Sequence, residues 1–60
     1  MYLFRLFDLE GGDAGEAHCP GFVSIGEAIR STDGRLLRVV NVVPVFEEAR
    51  YAGLFTVEPA

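Results

Sequence analysis

The sequence contains no lysine and no tryptophan, and it has one cysteine and one histidine among its 60 residues. A single cysteine excludes a disulfide within the chain, so packing has to hold the fold together. A zinc site needs about four ligands, which His18 and Cys19 cannot supply alone. If both residues lie on one strand, their side chains point to opposite faces and cannot share one substrate. We therefore expect no enzyme activity, no metal and no cofactor.

Long apolar runs are also missing, since none approaches the roughly 20 residues of a membrane-spanning helix. The first nine residues are as apolar as the middle of a short signal sequence, but they lack a basic leader and include Arg5 and Asp8. We expect these residues to form a strand of a cytoplasmic protein that does not bind membranes.

Acidic residues outnumber basic ones, nine to five, and the formal net charge is −4. Such a chain repels phosphate, which disfavours general binding to nucleic acid unless the basic residues cluster. All the basic residues are arginine, which we attribute to codon composition. The local cluster of Arg30, Arg35 and Arg38 predicts, as an alternative function, an anion-binding or nucleic-acid-binding hairpin.

The length of the chain allows one domain at most, and we assign residues 1–60 to a single small β-barrel domain. Half of the residues are apolar, and they include five Phe and two Tyr. Self-association is a common way to supplement the core of so small a domain. We therefore expect at least a homodimer.

The strongest structural signal is the Asp33-Gly34 turn, which separates a short strand pattern from a long valine-rich run. This arrangement predicts a β-hairpin. A two-residue loop would use Asp33 and Gly34 alone, whereas a three-residue loop would add Thr32 and place Gly34 in the left-handed region. We favour the three-residue loop because it places Ile29 opposite Leu37 and leaves the neighbouring arginines free to reach water.

The rest of the chain divides into short strands separated by glycine, proline and polar turns. Besides the hairpin, the expected strands are residues 2–9, 16–19 and 51–57, with a loop at 10–15, a stop at 20–21 and a polar turn at 47–50. Residues 22–29 are ambiguous, because Ser24 and Glu27 match a helix capping box. We favour a strand there. A short helix at 25–31, which would make the fold α+β, is the alternative.

Five short strands in hairpin order predict a mainly β fold, a small five-stranded antiparallel barrel. The run G-E-A-I-R-S-T-D-G-R-L-L-R-V-V-N-V-V-P-V resembles the layout of small SH3-like β-barrels, and bacterial proteins of unassigned function with that layout end in a segment similar to G-L-F-T-V-E-P. The resemblance covers Gly26–Pro59 and implies an SH3-like fold rather than an activity. Proline-rich peptide binding is not implied, since tryptophan and an A-L-Y-D-Y-like segment are lacking.

The valine-rich run is apolar at both odd and even positions, and the apolar residues at its even positions are Leu36, Val40 and Val42. Successive side chains of a strand point to opposite faces, and a barrel has one interior. Pro44 places this strand at an edge or bends it. We expect the face with Leu36, Val40 and Val42 to contact a partner. The sequence therefore predicts a non-catalytic protein-interaction or assembly module that self-associates.

Overall fold

The computed structural model describes residues 1–45 and 50–60 of the chain. They form the strands β1 (Tyr2–Phe7), β2 (Asp13–Cys19), β3 (Ala28–Arg30), β4 (Leu36–Pro44) and β5 (Gly53–Pro59). The strands make one sheet in the order β2-β1-β5-β4-β3, which curls into a half-barrel. The prediction of a small, mainly β, five-stranded fold is confirmed.

One pairing differs from the all-antiparallel barrel that hairpin order predicts. The pairs β1–β2, β3–β4 and β4–β5 are antiparallel, but β1 and β5 are parallel. Consecutive strands joined by short loops have to run antiparallel, whereas β1 and β5 lie at opposite ends of the chain and carry no such constraint. The contact between Phe4 and Phe55, whose stacked ring centroids lie 4.3 Å apart, helps to hold the two strands together.

The core lies on the concave side of the sheet, where alternate residues of each strand point inward. Phe4 and Phe55 are fully buried at its centre, and the ring of Phe22 meets Phe4 edge-on at 5.1 Å between centroids. Aromatic pairs in these geometries add to the stabilisation that burial alone provides. The buried apolar side chains are those of Phe4, Leu6, Ala14, Ala17, Cys19, Ile29, Leu37, Val39, Phe55 and Val57.

The first hairpin has a tighter loop than the expected one at residues 10–15. The carboxylate of Asp8 accepts hydrogen bonds from the backbone N–H groups of Glu10 and Gly12 at 2.9 and 2.8 Å, and β2 already begins at Asp13. Asp8 thus closes the turn as an aspartate commonly does. The expected stop at Pro20-Gly21 is confirmed, because β2 ends at Cys19.

The second hairpin has the predicted three-residue loop. Ile29 pairs with Leu37, the Ser31 N–H donates to the Arg35 carbonyl at 2.9 Å, and Gly34 has a φ of +92°. Only glycine adopts that φ without strain, so the Asp33-Gly34 signal determined both the loop and the register.

Residues 22–29 were expected to be a strand, and only the last two belong to one. The alternative helix at 25–31 is also wrong, because Ile25 and Gly26 form a turn and β3 begins at Ala28. The Ser24 N–H does donate to the Glu27 carboxylate, as in a capping box. Gly26 has a φ of +97°, however, which breaks a helix in its first turn.

The tip of the second hairpin covers part of the free edge of β2. The Thr32 N–H donates to the Glu16 carbonyl at 2.8 Å, and Arg35 Nη2 donates to the Ala14 carbonyl at 2.7 Å. These bonds cover backbone groups that would otherwise form an exposed strand edge. The polar turn expected at 47–50 lies outside the described residues except for Arg50, and the last strand begins at Gly53 rather than at Tyr51.

Candidate interaction surface

A β-bulge at Val40 divides β4 into two parts. Val39 pairs with Val57 and Asn41 pairs with Thr56, so Val40 is an additional residue opposite the same stretch of β5. One additional residue reverses the alternation of the side chains beyond it. Side chains at odd positions therefore point inward before Val40 and outward after it.

The bulge corrects the expectation that Leu36, Val40 and Val42 share one outward face. Leu36 lies on the outer side and is 49% exposed, but Val42 packs against the core and Val40 is half-buried. Val43 lies at an odd position, which a regular strand would turn inward, but it is 46% exposed. Of the three predicted contact residues, Leu36 alone combines the outer face with substantial exposure.

Leu36 lies between two of the predicted arginines on the outer face. Arg30 is its cross-strand partner on β3, and Arg38 is two residues further along β4, opposite Ala28. Arg30 Nη1 donates to the Gly34 carbonyl at 2.7 Å, and Arg38 Nη1 lies 3.8 Å from a Glu58 carboxylate oxygen. The structure therefore brings Arg30 and Arg38 together around an exposed leucine.

Arg35 links the tip of the second hairpin to β2. Its Nε lies 3.0 Å from a carboxylate oxygen of Asp33, while Nη2 reaches Ala14 on β2. The pKa of Asp33 is lowered, mainly by the hydrogen bond from the Ser31 hydroxyl and next by the hydrogen bond from the Arg35 guanidinium. The Arg35 guanidinium is therefore already paired with groups of the chain itself, the Asp33 carboxylate and the Ala14 carbonyl.

We expect Arg35→Ala to lower the free energy of unfolding by about 1–2 kcal/mol, the value of a partly exposed, charge-assisted hydrogen bond. Urea denaturation followed by circular dichroism measures this change. Arg50→Ala is the control, since the Arg50 side chain is 70% exposed and its ion pair in the described part of the chain is with the Glu16 carboxylate at 3.6 Å. Such surface pairs contribute about 0–1 kcal/mol. Equal losses for the two variants would contradict the role of Arg35 in joining the second hairpin to β2.

A second cluster on the outer face surrounds Arg5 of β1. Its guanidinium lies 5.3 Å from the ring centroid of Phe7 and 6.0 Å from that of Tyr51, and it pairs with Asp13 at 3.2 Å. The Tyr51 hydroxyl donates to the Glu16 carboxylate. The polar groups of this cluster satisfy one another, so it holds β1, β2 and the start of β5 together rather than offering a site. No local sequence signal indicates it, because its members come from three separate segments.

His18 and Cys19 lie on opposite faces of β2, as the sequence predicts. His18 is exposed, whereas Cys19 is buried and its burial raises the pKa of the thiol. A raised thiol pKa reduces the fraction of reactive thiolate. Within residues 1–45 and 50–60, no group of three His, Cys, Asp or Glu side chains is placed to hold a metal ion.

An acidic corner lies beside the end of β5. The loop after β1 and the last residues of β5 enclose a shallow cleft, lined by Asp8, Leu9, Glu10, Val57, Glu58 and Pro59. Leu9 projects from this corner and is 65% exposed. Because Glu58 is the register partner of Arg38, the acidic corner adjoins the outer face that carries Leu36.

Two further exposed apolar residues, Phe22 and Ile25, lie in the connection between β2 and β3. Phe22 is 54% exposed although its ring contacts the buried Phe4. Both residues lie in the segment 22–29, where the spacing of apolar residues fits neither a strand nor a helix clearly. The sequence therefore does not indicate whether their side chains face the core or the solvent.

Comparison with protein-family models, with curated proteins and with solved structures finds no match. The resemblance to SH3-like barrels therefore stays a prediction. Among the described residues, no helix has the length and apolarity needed to cross a membrane.

Proposed function

We propose that this chain is a non-catalytic protein-interaction or assembly module that self-associates, and that it acts in the bacterial cytoplasm. The observation that supports the proposal best is the exposure of large apolar side chains on a domain with so small a core. They include Leu9, Phe22, Ile25, Leu36 and Val43. Exposed apolar side chains that lie near one another mark contact surfaces more often than isolated ones do.

Leu36 and Leu9 support the proposal most directly, because both belong to neighbouring parts of one surface. Leu36 is on β4, whose partner β5 carries the Glu58 and Pro59 that line the cleft beside Leu9. The valines of the predicted face contribute less, since Val42 packs against the core. Association through this surface would cover apolar area that the small domain leaves exposed.

The alternative, an anion-binding or nucleic-acid-binding barrel, has less support. Arg35 is engaged with Ala14 and Asp33, and Arg38 has a carboxylate of Glu58 nearby. The aromatic side chains of the Arg5 cluster are already occupied by that guanidinium and are therefore poor platforms for base stacking.

Sedimentation equilibrium at protein concentrations from about 1 μM to 1 mM tests the proposal, since this range covers association free energies of about −8 to −4 kcal/mol. We expect the average mass to rise from that of one chain toward that of two. A constant single-chain mass over the whole range would contradict self-association. Titration of single-stranded DNA and RNA at low salt tests the alternative, because phosphate contacts are strongest there.

A further inference from the structure

The surface around Leu36 and Leu9 has an arrangement of charge that the self-association proposal does not require. We define the corner face as Leu9, Glu10, Arg30, Leu36, Arg38 and Glu58. Arg30 and Leu36 are cross-strand partners, as are Arg38 and Glu58. Leu9 and Glu10 line one cleft with Glu58. The corner face is therefore continuous across β3, β4, the end of β5 and the loop that follows β1.

The corner face is divided into a basic half and an acidic half. Arg30 and Arg38 flank Leu36 in the basic half, while Glu10 and Glu58 accompany Leu9 in the acidic half. Each half thus presents one exposed leucine beside charges of one sign.

The charges at the two ends of the corner face lack a partner of opposite sign in the described part of the chain. No described carboxylate lies within 4.0 Å of the Arg30 guanidinium, and no described cation lies within that distance of Glu10. At the centre of the corner face, Arg38 Nη1 lies 3.8 Å from Glu58 Oε2, and both side chains are partly exposed. A second molecule could therefore pair with the outer charges without displacing an existing ion pair.

We propose that the corner face binds the corner face of a second copy of this chain about a two-fold axis, with the basic half of each copy against the acidic half of the other. A two-fold interface uses the same patch on both subunits, so the patch has to complement itself. A face with opposite charges on its two halves meets that requirement. Leu36 of one copy then lies near Leu9 of the other, and the central Arg38 and Glu58 of both copies form a ring of alternating charge.

This inference rests on the proposed function and identifies its partner and contact surface. It also explains why a net-negative protein associates with itself: the rotation brings Arg30 of each copy near Glu10 of the other, so the local charges attract although the whole molecules repel. Complementary charge of this kind sets specificity and orientation, while the leucines supply apolar burial.

Charge reversal at the two ends of the corner face tests the inference. Arg30→Glu places a carboxylate opposite Glu10 in the homodimer, and Glu10→Arg places a guanidinium opposite Arg30. We expect each variant alone to dimerise at least 10-fold more weakly than the natural protein. An equimolar mixture of the two variants should restore association, because both contacts in the mixed dimer then join opposite charges. The double variant, which carries both changes, should dimerise with itself.

Sedimentation equilibrium measures the dissociation constants, and circular dichroism with thermal unfolding establishes that each variant is folded. Arg50→Glu is the matched control, since it changes the net charge as Arg30→Glu does but lies beside Glu16 and Tyr51, away from the corner face. We expect it to dimerise within about 3-fold of the natural protein.

The results of these experiments distinguish a wrong contact surface from an absence of self-association. If the natural protein dimerises and both reversals leave its dissociation constant unchanged, the corner face is not the interface, although self-association stands. If both reversals abolish association and the mixture does not restore it, the two-fold pairing of opposite halves is overturned. If the natural protein stays monomeric up to 1 mM, which corresponds to about −4 kcal/mol, both fail together.

Discussion

Replacing Phe55 with alanine is expected to lower the free energy of unfolding by about 3–5 kcal/mol, the usual cost of removing a buried aromatic side chain. Phe55 is fully buried on β5, and its ring stacks on that of Phe4 at 4.3 Å between centroids. The ring of Phe22 approaches the ring of Phe55 edge-on, with 6.5 Å between the two centroids. The substitution therefore removes the shared partner of both rings and leaves a cavity between β1, β5 and the connection that covers them.

Because the domain is small, this loss is a large share of its total free energy of unfolding. At about 0.05–0.15 kcal/mol per residue, 60 residues give a total stability of about 3–9 kcal/mol. Phe55→Ala should therefore remove about a third or more of the total stability, and urea denaturation followed by circular dichroism would show the midpoint shifted to a much lower urea concentration.

Leu54→Ala is the matched control, since Leu54 is the neighbouring residue of the same strand and lies half-buried on the outer face. We expect it to cost less than about 1.5 kcal/mol, because a partly exposed side chain loses less burial. A loss for Phe55→Ala no larger than that of the control would contradict the central place of the aromatic stack.

Replacing Gly53 with alanine should destabilise the protein by about 1–3 kcal/mol, the usual cost of overpacking a filled core. Gly53 pairs with Phe4 on one side and with Pro44 on the other, at the point where β1, β4 and β5 come together. A Cβ atom there would lie 2.8 Å from Cε1 of Phe22 and 3.0 Å from the carbonyl oxygen of Val43. The ring can shift, but the backbone of β4 cannot do so without disturbing its pairing with β5.

Thermal unfolding measures this change, since each kcal/mol lowers the Tm of a domain of this size by about 4–8 °C. Gly21→Ala is the control, because nothing lies within 4 Å of a Cβ at that position and its φ is not positive. We expect Gly21→Ala to leave the Tm unchanged or raise it, since alanine reduces the freedom of the unfolded chain. A Gly53→Ala protein as stable as the Gly21→Ala protein would contradict the close approach at Gly53.

Expectations based on local patterns were the more successful ones. The three-residue loop ending at Gly34, the pairing of Ile29 with Leu37 and the stop at Pro20-Gly21 are all confirmed. Each depends on the conformational preferences of a few adjacent residues, which the sequence displays directly. The partial failure at residues 22–29 has the same basis, because the capping interaction of Ser24 with Glu27 formed, but Gly26 limited it to a turn.

The candidate surface was harder to predict because an irregularity in one strand decides it. The alternation rule assumes a regular strand, and it placed Leu36 correctly on the outside. The bulge at Val40 then turned Val42 toward the core and Val43 outward. Neither residue type nor spacing marks a bulge at that valine, since it forms where β4 and β5 together fit around the core.

Taken alone, the sequence determined that the chain forms a small, mainly β fold and where its second hairpin turns. Turn chemistry and side-chain alternation act over a few residues, so they can be recognised without coordinates. Tertiary structure decided the parallel pairing of β1 with β5, the binding of Arg35 to Ala14 and the meeting of basic and acidic halves around Leu36 and Leu9. These features join residues far apart in the chain, and only the packing of the whole sheet brings them together.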